Sequence, residues 1–225
     1  MPPIKPLVSI FEQQYQIDPE RSYHTVELYA VWCAKSFMLN RSVELNPFRT
    51  KYFLYMDGGA FRSPSYRFQQ WPHETSVEAI MSNDRLLLGM VAPIPRRFCS
   101  LKFKLVEGPI KLNLIEGGFI GGSARAIHWW TSVFYEIVNY YRSKNFFIAK
   151  DQYVMNAITL AHAHHFNIML SFRVSCGDVW FAFGPLLAKD NERTILFNSK
   201  ICQQQNVTKF IIPFETICDD IRNRE

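Results

Sequence analysis

Residues 52–59 read Tyr-Phe-Leu-Tyr-Met-Asp-Gly-Gly, a short apolar run that ends abruptly in a carboxylate and two glycines. Such a run predicts a buried parallel β-strand that emerges at the carboxyl edge of a sheet. Because open α/β sheets bind ligands at that edge, Asp57 is a candidate ligand for a divalent cation that bridges diphosphate oxygens. Gly58 and Gly59 would let the backbone and a substrate approach closely. Taken alone, the pattern is more often a turn that the aspartate caps.

Outward from this stretch, helical and strand patterns alternate along the chain. A helix is predicted over 25–43, where Thr25 can cap the start and Asn46-Pro47 stops the end. Further strands are predicted over 85–91 and 101–106, and near 168–172 and 179–183. Two more helices are predicted, over 124–141 and from 151 onward. The alternation predicts one α/β domain that spans residues 1–225.

A glycine-rich block precedes the second of these helices. Gly117-Gly118-Phe119-Ile120-Gly121-Gly122 contains four of the ten glycines in the chain, and Ser123 can cap the helix that follows. Glycines ahead of a helix leave backbone N–H groups free to meet an anion or a hydroxyl. A tight turn with close packing explains the block equally well. It is not a P-loop, because no lysine follows, and Arg125 stands where a hydrolase nucleophile elbow needs its last glycine.

Three other polar positions are candidates for chemistry. Lys150-Asp151-Gln152 begins a predicted helix, and an acid beside an amide can accept a proton from a hydroxyl or orient it; capping by Asp151 is the alternative. His162 shares a helix face with His165 and could join a metal site, although surface or core histidines are commoner. Lys35 could contact a phosphate, or its stem could simply pack along apolar surface.

Composition restricts the class of protein. The 225 residues are 48% apolar and 20% charged, which is typical of a globular domain. The net charge of +5 is spread out, so we expect no nucleic-acid partner. No run of about 18 apolar residues occurs, so we expect no membrane span. The expected location is soluble and cytoplasmic, or the secretory pathway if residues precede Met1.

The five cysteines contain no Cys-x-x-Cys pair. This spacing argues against a zinc site and against a complete disulfide framework, and it favours buried thiols. A Cys202–Cys218 bridge stays open as an alternative.

The order of these motifs resembles the HtrL/YibB-type (WlaTC) family over roughly residues 11–185, with 186–225 as a C-terminal extension. The resemblance rests on five stretches: Tyr29-Ala30-Val31-Trp32 with Lys35, Asn46-Pro47-Phe48, Phe53-Leu54-Tyr55-Met56-Asp57-Gly58-Gly59-Ala60-Phe61-Arg62, the glycine block with Ser123, and Lys150-Asp151-Gln152-Tyr153-Val154-Met155-Asn156.

The resemblance implies a GT-A-like fold, a mixed sheet flanked by helices, and a glycosyltransferase-like activity. Such a protein would transfer a sugar from a nucleoside-diphosphate donor to a hydroxyl of a glycan, lipid or protein acceptor. It would use Mn²⁺ or Mg²⁺ at Asp57. By resemblance, Asp151 and Gln152 are catalytic. The implied substrate-binding residues are Lys35, Gly58, Gly59, Arg62, Gly117, Gly118, Gly121, Gly122 and Ser123.

Two departures from the family pattern favour a second hypothesis. Gly59 stands where an Asp-x-Asp pair has its second acid. The chain also opens near the family's Asp-Pro-Glu segment, here Asp18-Pro19-Glu20, which implies that the usual N-terminal unit that grips the nucleotide base is missing. The alternative is therefore a catalytically inactive remnant that binds sugar or protein. Both hypotheses expect Asp57, the glycine block and Asp151-Gln152 to meet in one cleft.

Overall fold

The computed structural model describes residues 1–61, 68–100, 103–174, 179–192 and 210–222. The helices are α1 (Val8–Tyr15), α2 (Val26–Leu45), α3 (Glu74–Met81), α4 (Arg97–Ser100), α5 (Ala124–Ser143), α6 (Asp151–Ala161), α7 (Phe183–Leu186) and α8 (Ile217–Arg222). The strands are β1 (Tyr52–Met56), β2 (Leu86–Met90), β3 (Ile115–Ser123), β4 (Phe166–Met169) and β5 (Ile211–Pro213).

The five strands form one mixed sheet in the order β1-β3-β2-β4-β5. Strand β3 runs antiparallel to both β1 and β2, β4 is parallel to β2, and β5 is antiparallel to β4. Strands β1, β2 and β4 therefore point the same way, and their carboxyl ends lie along one edge of the sheet. The prediction of an α/β domain with a mixed sheet and flanking helices is confirmed.

Alternating residues of the central strand face two separate cores. Leu86 and Leu88 of β2 point into the larger core, which α1, α2, α5 and α6 cover. Leu87 points into the smaller core, which contains residues of α3 and α7. Because side chains of a strand alternate between the two faces of a sheet, β2 can be buried on both and still read as a continuous apolar run.

The two longest helices begin where their capping residues predict. Thr25 Oγ1 accepts the backbone N–H of Leu28 at the start of α2, and Ser123 Oγ accepts that of Ala126 at the start of α5. Helix α5 then buries one stripe of large side chains at helical spacing, namely Ile127, Trp130, Phe134, Ile137, Val138 and Tyr141. Neither helix, nor any other helix within the described ranges, is both long and apolar enough to cross a membrane.

Three strand predictions need correction. Strand β1 exists, but it is an outermost strand of the sheet rather than an internal one. It is only partly buried, and it pairs antiparallel with β3. The described part of 101–106 is not a strand, because a 3-10 helix occupies Leu105–Glu107. The segment 179–183 is also helical, with a 3-10 turn at Val179–Phe181 that leads into α7. Tertiary packing overrides the local alternation of apolar residues in the first segment and the continuous apolar run in the second.

The glycine block is a strand rather than a turn. All six residues of Gly117–Gly122 lie within β3, the strand that contacts both β1 and β2. A Cβ atom at Gly121 would stand 2.8 Å from side-chain carbons of Leu54 and Met81, so the smaller core closes over this position. These glycines are explained by close packing, which the sequence left open as the alternative.

Two cysteines form a disulfide that the sequence did not predict. Cys99, in α4, is bonded to Cys218, in α8, across 119 residues of sequence. Cys33 is a buried free thiol, as expected. The alternative Cys202–Cys218 pairing is excluded, since Cys218 is already bonded; Cys202 and Cys176 lie outside the described residues.

Candidate functional site

Part of the predicted site, including Asp57, Gly117, Gly118 and Asp151, lies where β1 ends and β3 begins. Asp57 directly follows β1, and its backbone N–H donates to the carbonyl of Gly118 at 2.9 Å. Helix α6 starts with Asp151 at the same place: a Cβ atom at Gly117 would stand 3.3 Å from both oxygens of the Asp151 carboxylate. Three stretches that are far apart in sequence thus converge on one edge of the sheet.

The Asp57 carboxylate is partly exposed and held on one side. Its Oδ1 accepts the hydroxyl of Tyr55 at 2.9 Å, and a Cβ atom at Gly118 would stand 3.3 Å from its Oδ2. Burial, reinforced by the negative charge of Asp57, raises the pKa of Tyr55, so the phenol stays protonated and can donate this hydrogen bond. The missing side chain at Gly118 leaves room for the carboxylate.

Lys35 and Asp151 form a buried ion pair beneath this edge. The ammonium Nζ lies 3.1 Å from Asp151 Oδ2, and each side chain is 4% exposed. The same Nζ donates to the carbonyl of Gly117 at 2.7 Å and lies 5.8 Å from the centre of the Tyr55 ring. Because a buried charge is tolerated only when paired, each partner needs the other. The ammonium of Lys35, which was predicted to contact a phosphate, therefore contacts the Asp151 carboxylate and the carbonyl of Gly117.

Gln152 and Asn156 fasten α6 to the start of β3. Gln152 Nε2 donates to the carbonyl of Ile115 at 2.7 Å, and its backbone N–H donates to Asp151 Oδ1 at 2.8 Å. Asn156 Oδ1 accepts the N–H of Ile115 at 3.0 Å, and its Nδ2 donates to the carbonyl of Leu112 at 2.7 Å. Asp151 and Gln152 are thus fixed relative to Gly117, although both are buried.

The segment that leads into Asp151 is held by α1 and by the loop between α1 and α2. The buried side chain of Gln14, in α1, accepts the N–H groups of Ile148 and Ala149 at 2.8 and 3.0 Å and donates to the carbonyl of Phe146 at 2.9 Å. Lys150 Nζ pairs with Glu20 Oε2 at 2.6 Å. This support was not predictable from the sequence, because the partners in these contacts lie more than 125 residues apart.

Of the other predicted substrate residues, Gly58 and Gly59 lie beside Asp57, whereas Gly121, Gly122 and Ser123 lie away from it. Gly121 and Gly122 contact core side chains, and Ser123 Oγ donates to Asp84 at the opposite edge of the sheet. At a rise of about 3.3 Å per residue, Ser123 stands roughly 20 Å from Gly117 along β3. Gly58 and Gly59 follow Asp57, and Gly58 faces open space. Arg62 lies outside the described residues.

Glu116, which was not predicted as a site residue, also lies at this edge, because it directly precedes Gly117 in β3. It is fully buried, and a Cβ atom at Gly89 would collide with its carboxylate, so the side chain lies directly against β2. The signal in the sequence was slight but present, since Glu116 is the only charged residue between Leu112 and Gly122. A fully buried carboxylate within a strand is rare in proteins.

Two places can offer ligands to a metal ion. Asp57 supplies one carboxylate, and in the described part of the chain it belongs to no group of three ligands. Asp18, Glu20 and His24 do form such a group, with one ligand atom from each and all three atoms within 4.8 Å of one another; this group could hold a metal ion. His162, predicted as a metal ligand, instead packs edge-on against the Trp129 ring, with 5.7 Å between ring centres.

A pocket of about 540 Å³ lies elsewhere, on the side of the smaller core. Residues of α3, such as Ser76 and Ile80, line it together with Leu186 and Lys189. None of the residues predicted for the site lines this pocket, so the pocket and the cluster of predicted site residues are in different parts of the molecule. The convergence of charged groups at Asp57 and Asp151 is the stronger indicator, because an apolar pocket by itself specifies no reaction.

No protein-family model, no curated protein and no solved structure matches this chain.

Proposed function

We propose that this protein is glycosyltransferase-like, with a GT-A-like nucleotide-sugar site, and transfers a sugar from a nucleoside-diphosphate donor to a hydroxyl acceptor. One observation supports the proposal: Asp57, the Gly117-Gly118 backbone and Asp151 all lie at the edge where β1, β2 and β4 end, with Asp151 against Gly117 and Asp57 against Gly118. In open α/β sheets this edge is where ligands bind. The resemblance of the motifs to the HtrL/YibB-type family supports the same assignment.

Asp57 is assigned the donor end of the site. It is partly exposed and Gly58 faces open space, so a diphosphate can approach its carboxylate. One carboxylate fits Mg²⁺ or Mn²⁺, because these ions are held by one or two carboxylates together with substrate phosphates. When bound, such an ion would neutralise charge on the leaving diphosphate. Tyr55 keeps the Asp57 carboxylate in place through its hydroxyl.

Asp151 and Gln152 are assigned the acceptor end. In this proposal Asp151, which lies against Gly117 at the start of α6, accepts the proton of an attacking hydroxyl, and Gln152, the next residue, orients that hydroxyl. Lys35 anchors this arrangement through its bonds to Asp151 and to the carbonyl of Gly117. Lys35 is therefore proposed as a positioning residue rather than a phosphate ligand.

A second candidate function is a non-catalytic protein that binds sugar or a protein partner. Its supporting observation is that Asp151 and Gln152 are buried, with exposures of 3% and 9%, and engaged with protein groups. Gly59, where a second acid would strengthen a metal site, favours the same candidate. Such a protein would bind a nucleotide sugar, a glycan or another protein without turnover.

The test is release of nucleoside diphosphate from a panel of UDP- and GDP-sugars, with and without Mn²⁺ or Mg²⁺. Wild type is compared with Asp57→Asn and with the matched control Asp84→Asn, which alters a carboxylate at the opposite edge of the sheet. We expect metal-dependent release that Asp57→Asn lowers by roughly 100-fold or more, since even outer-shell partners of a metal are worth 10–100-fold.

The outcomes separate the two candidates. Equal release by Asp57→Asn and wild type would remove Asp57 from the mechanism. Binding of a donor without release of diphosphate supports the non-catalytic candidate. If wild type neither binds nor cleaves any member of the panel, the nucleotide-sugar proposal is wrong.

A further inference from the structure

The loop between α1 and α2 brings together an imidazole and two carboxylates. His24 Nδ1 lies 2.7 Å from Asp18 Oδ2, and the ligand atoms of Asp18, Glu20 and His24 all lie within 4.8 Å of one another. None of the three was a predicted site residue. The group contains neither Asp57 nor Asp151, so the inference drawn from it does not depend on the proposed function.

The geometry of the group is fixed by its neighbours. The backbone N–H of Glu20 donates to Asp18 Oδ1 at 2.8 Å, and the hydroxyl of Tyr29 donates to Asp18 Oδ2. The His24 ring packs edge-on against Trp32, with 4.9 Å between ring centres, so it presents Nδ1 toward Asp18. Neighbouring groups that orient the metal-binding side chains in this way are typical of metal sites.

The carboxylates of this group carry more negative charge than the ammonium paired with them neutralises, which favours a bound cation. Asp18 and Glu20 contribute two carboxylates, whereas Lys150 is the one ammonium that pairs with either of them among the described ion pairs, 2.6 Å from Glu20 Oε2.

We propose that Asp18, Glu20 and His24 bind a transition-metal ion of the Zn²⁺ type. Tetrahedral coordination with bonds of about 2.1 Å places ligand atoms roughly 3.4 Å apart. His24 Nδ1 and Asp18 Oδ2 are 2.7 Å apart and no two ligand atoms of the group are more than 4.8 Å apart, so small side-chain rotations reach that value. Binding of the ion replaces the contact between His24 Nδ1 and Asp18 Oδ2. One imidazole nitrogen with two carboxylates suits Zn²⁺ better than Mg²⁺ or Ca²⁺, which prefer oxygen ligands alone.

The Glu20 side of the site is open to solvent. The Glu20 side chain is 44% exposed, whereas those of Asp18 and His24 are 5% and 12% exposed. Three protein ligands with one accessible side leave a fourth position for water. Because Glu20 also holds Lys150, which directly precedes Asp151, the bound ion would brace the same segment that carries Asp151.

The test is a Zn²⁺ titration of the full chain, without a histidine tag and freed of metal with a chelator. Calorimetry should give one strong Zn²⁺ site per chain, and the unfolding temperature should rise with Zn²⁺ but not with Mg²⁺. Co²⁺ in place of Zn²⁺ should give the visible absorption of a four-coordinate ion. His24→Gln and Glu20→Gln should each weaken Zn²⁺ binding by at least 10-fold.

Two control variants keep the result interpretable. His165→Gln removes a histidine outside the group, and Asp57→Asn removes the carboxylate of the proposed donor site; both should bind Zn²⁺ as wild type does. Glu20→Gln alters a partly exposed residue and keeps a hydrogen-bond acceptor for Lys150, so it tests the site even if His24→Gln does not fold. Zn²⁺ binding that is absent in wild type, or unchanged in Glu20→Gln, overturns the proposal whatever the donor assays show.

Discussion

The ion pair between Lys35 and Asp151 gives a quantitative prediction. In Lys35→Met the apolar stem is kept but the ammonium is lost, so a carboxylate that is 4% exposed has no counter-charge. The carbonyl of Gly117 loses its charged donor at the same time. Removing one partner of a buried pair costs about 3–5 kcal/mol of unfolding free energy. The two losses overlap, because one ammonium serves both acceptors, so they are not added together.

Urea denaturation measures this effect directly. With a dependence on urea of about 2 kcal/mol per molar, a loss of 3–5 kcal/mol moves the midpoint down by roughly 1.5–2.5 M. The control is Arg41→Met, which removes one partner of the exposed pair between Arg41 and Glu44 and should cost less than about 1 kcal/mol. The double variant Lys35→Met/Asp151→Leu should recover much of the loss, because an apolar replacement leaves no buried charge.

The result that would refute this reasoning is a loss below about 1 kcal/mol for Lys35→Met, no larger than for Arg41→Met. The two groups would then be solvated or apart in solution. Failure of the double variant to recover stability would show instead that Lys35 acts mainly through the carbonyl of Gly117.

Three further predictions concern packing, the disulfide and pH. Gly117→Ala places a methyl group 3.1 Å from Lys35 Nζ and should cost about 1–3 kcal/mol in urea denaturation, whereas Gly58→Ala, with no atom within 4 Å, should leave the midpoint unchanged. Because the Cys99–Cys218 disulfide joins residues 119 positions apart, reductant should lower the unfolding free energy of wild type by roughly 2–5 kcal/mol and leave that of Cys218→Ser unchanged. An equal effect of reductant on both proteins would contradict this prediction. Burial, with repulsion from nearby histidines, lowers the pKa of His165 below its usual 6.5, so stability should fall as pH drops below 6.5, and His165→Gln should flatten that decline in a pH series of melting curves.

Local features of the fold were predictable because they depend on neighbouring residues. Thr25 and Ser123 cap the helices that they precede, and the apolar run of β2 is long enough to be recognised without its partners. The direction of β1 was not predictable, since a short apolar run reads the same in a parallel and in an antiparallel pair. Its partner in the sheet, β3, begins 59 residues after β1 ends.

The glycine block shows why part of the site was misread. Glycines ahead of a helix predict either free backbone N–H groups that meet an anion or a tight turn, but in β3 they leave out side chains where Lys35, Asp57 and Leu54 approach the strand. The distinction depends on contacts across the sheet. The pairing of Lys35 with Asp151 and the burial of Glu116 were hidden for the same reason, because each depends on residues that are distant in the sequence.

The most direct test of the central claim is calorimetric titration of a nucleotide sugar, in the presence of Mn²⁺, against variants at each of the three converging stretches. Asp57→Asn and Gly118→Val should each weaken binding of the same donor by at least 10-fold. Asp151→Asn should do so too, because in the proposed function the reacting sugar of the donor has to reach Asp151, and the control Asp84→Asn should bind as wild type does. If the donor binds wild type and these three variants with equal affinity, or binds none of them, the three stretches do not form a single nucleotide-sugar site.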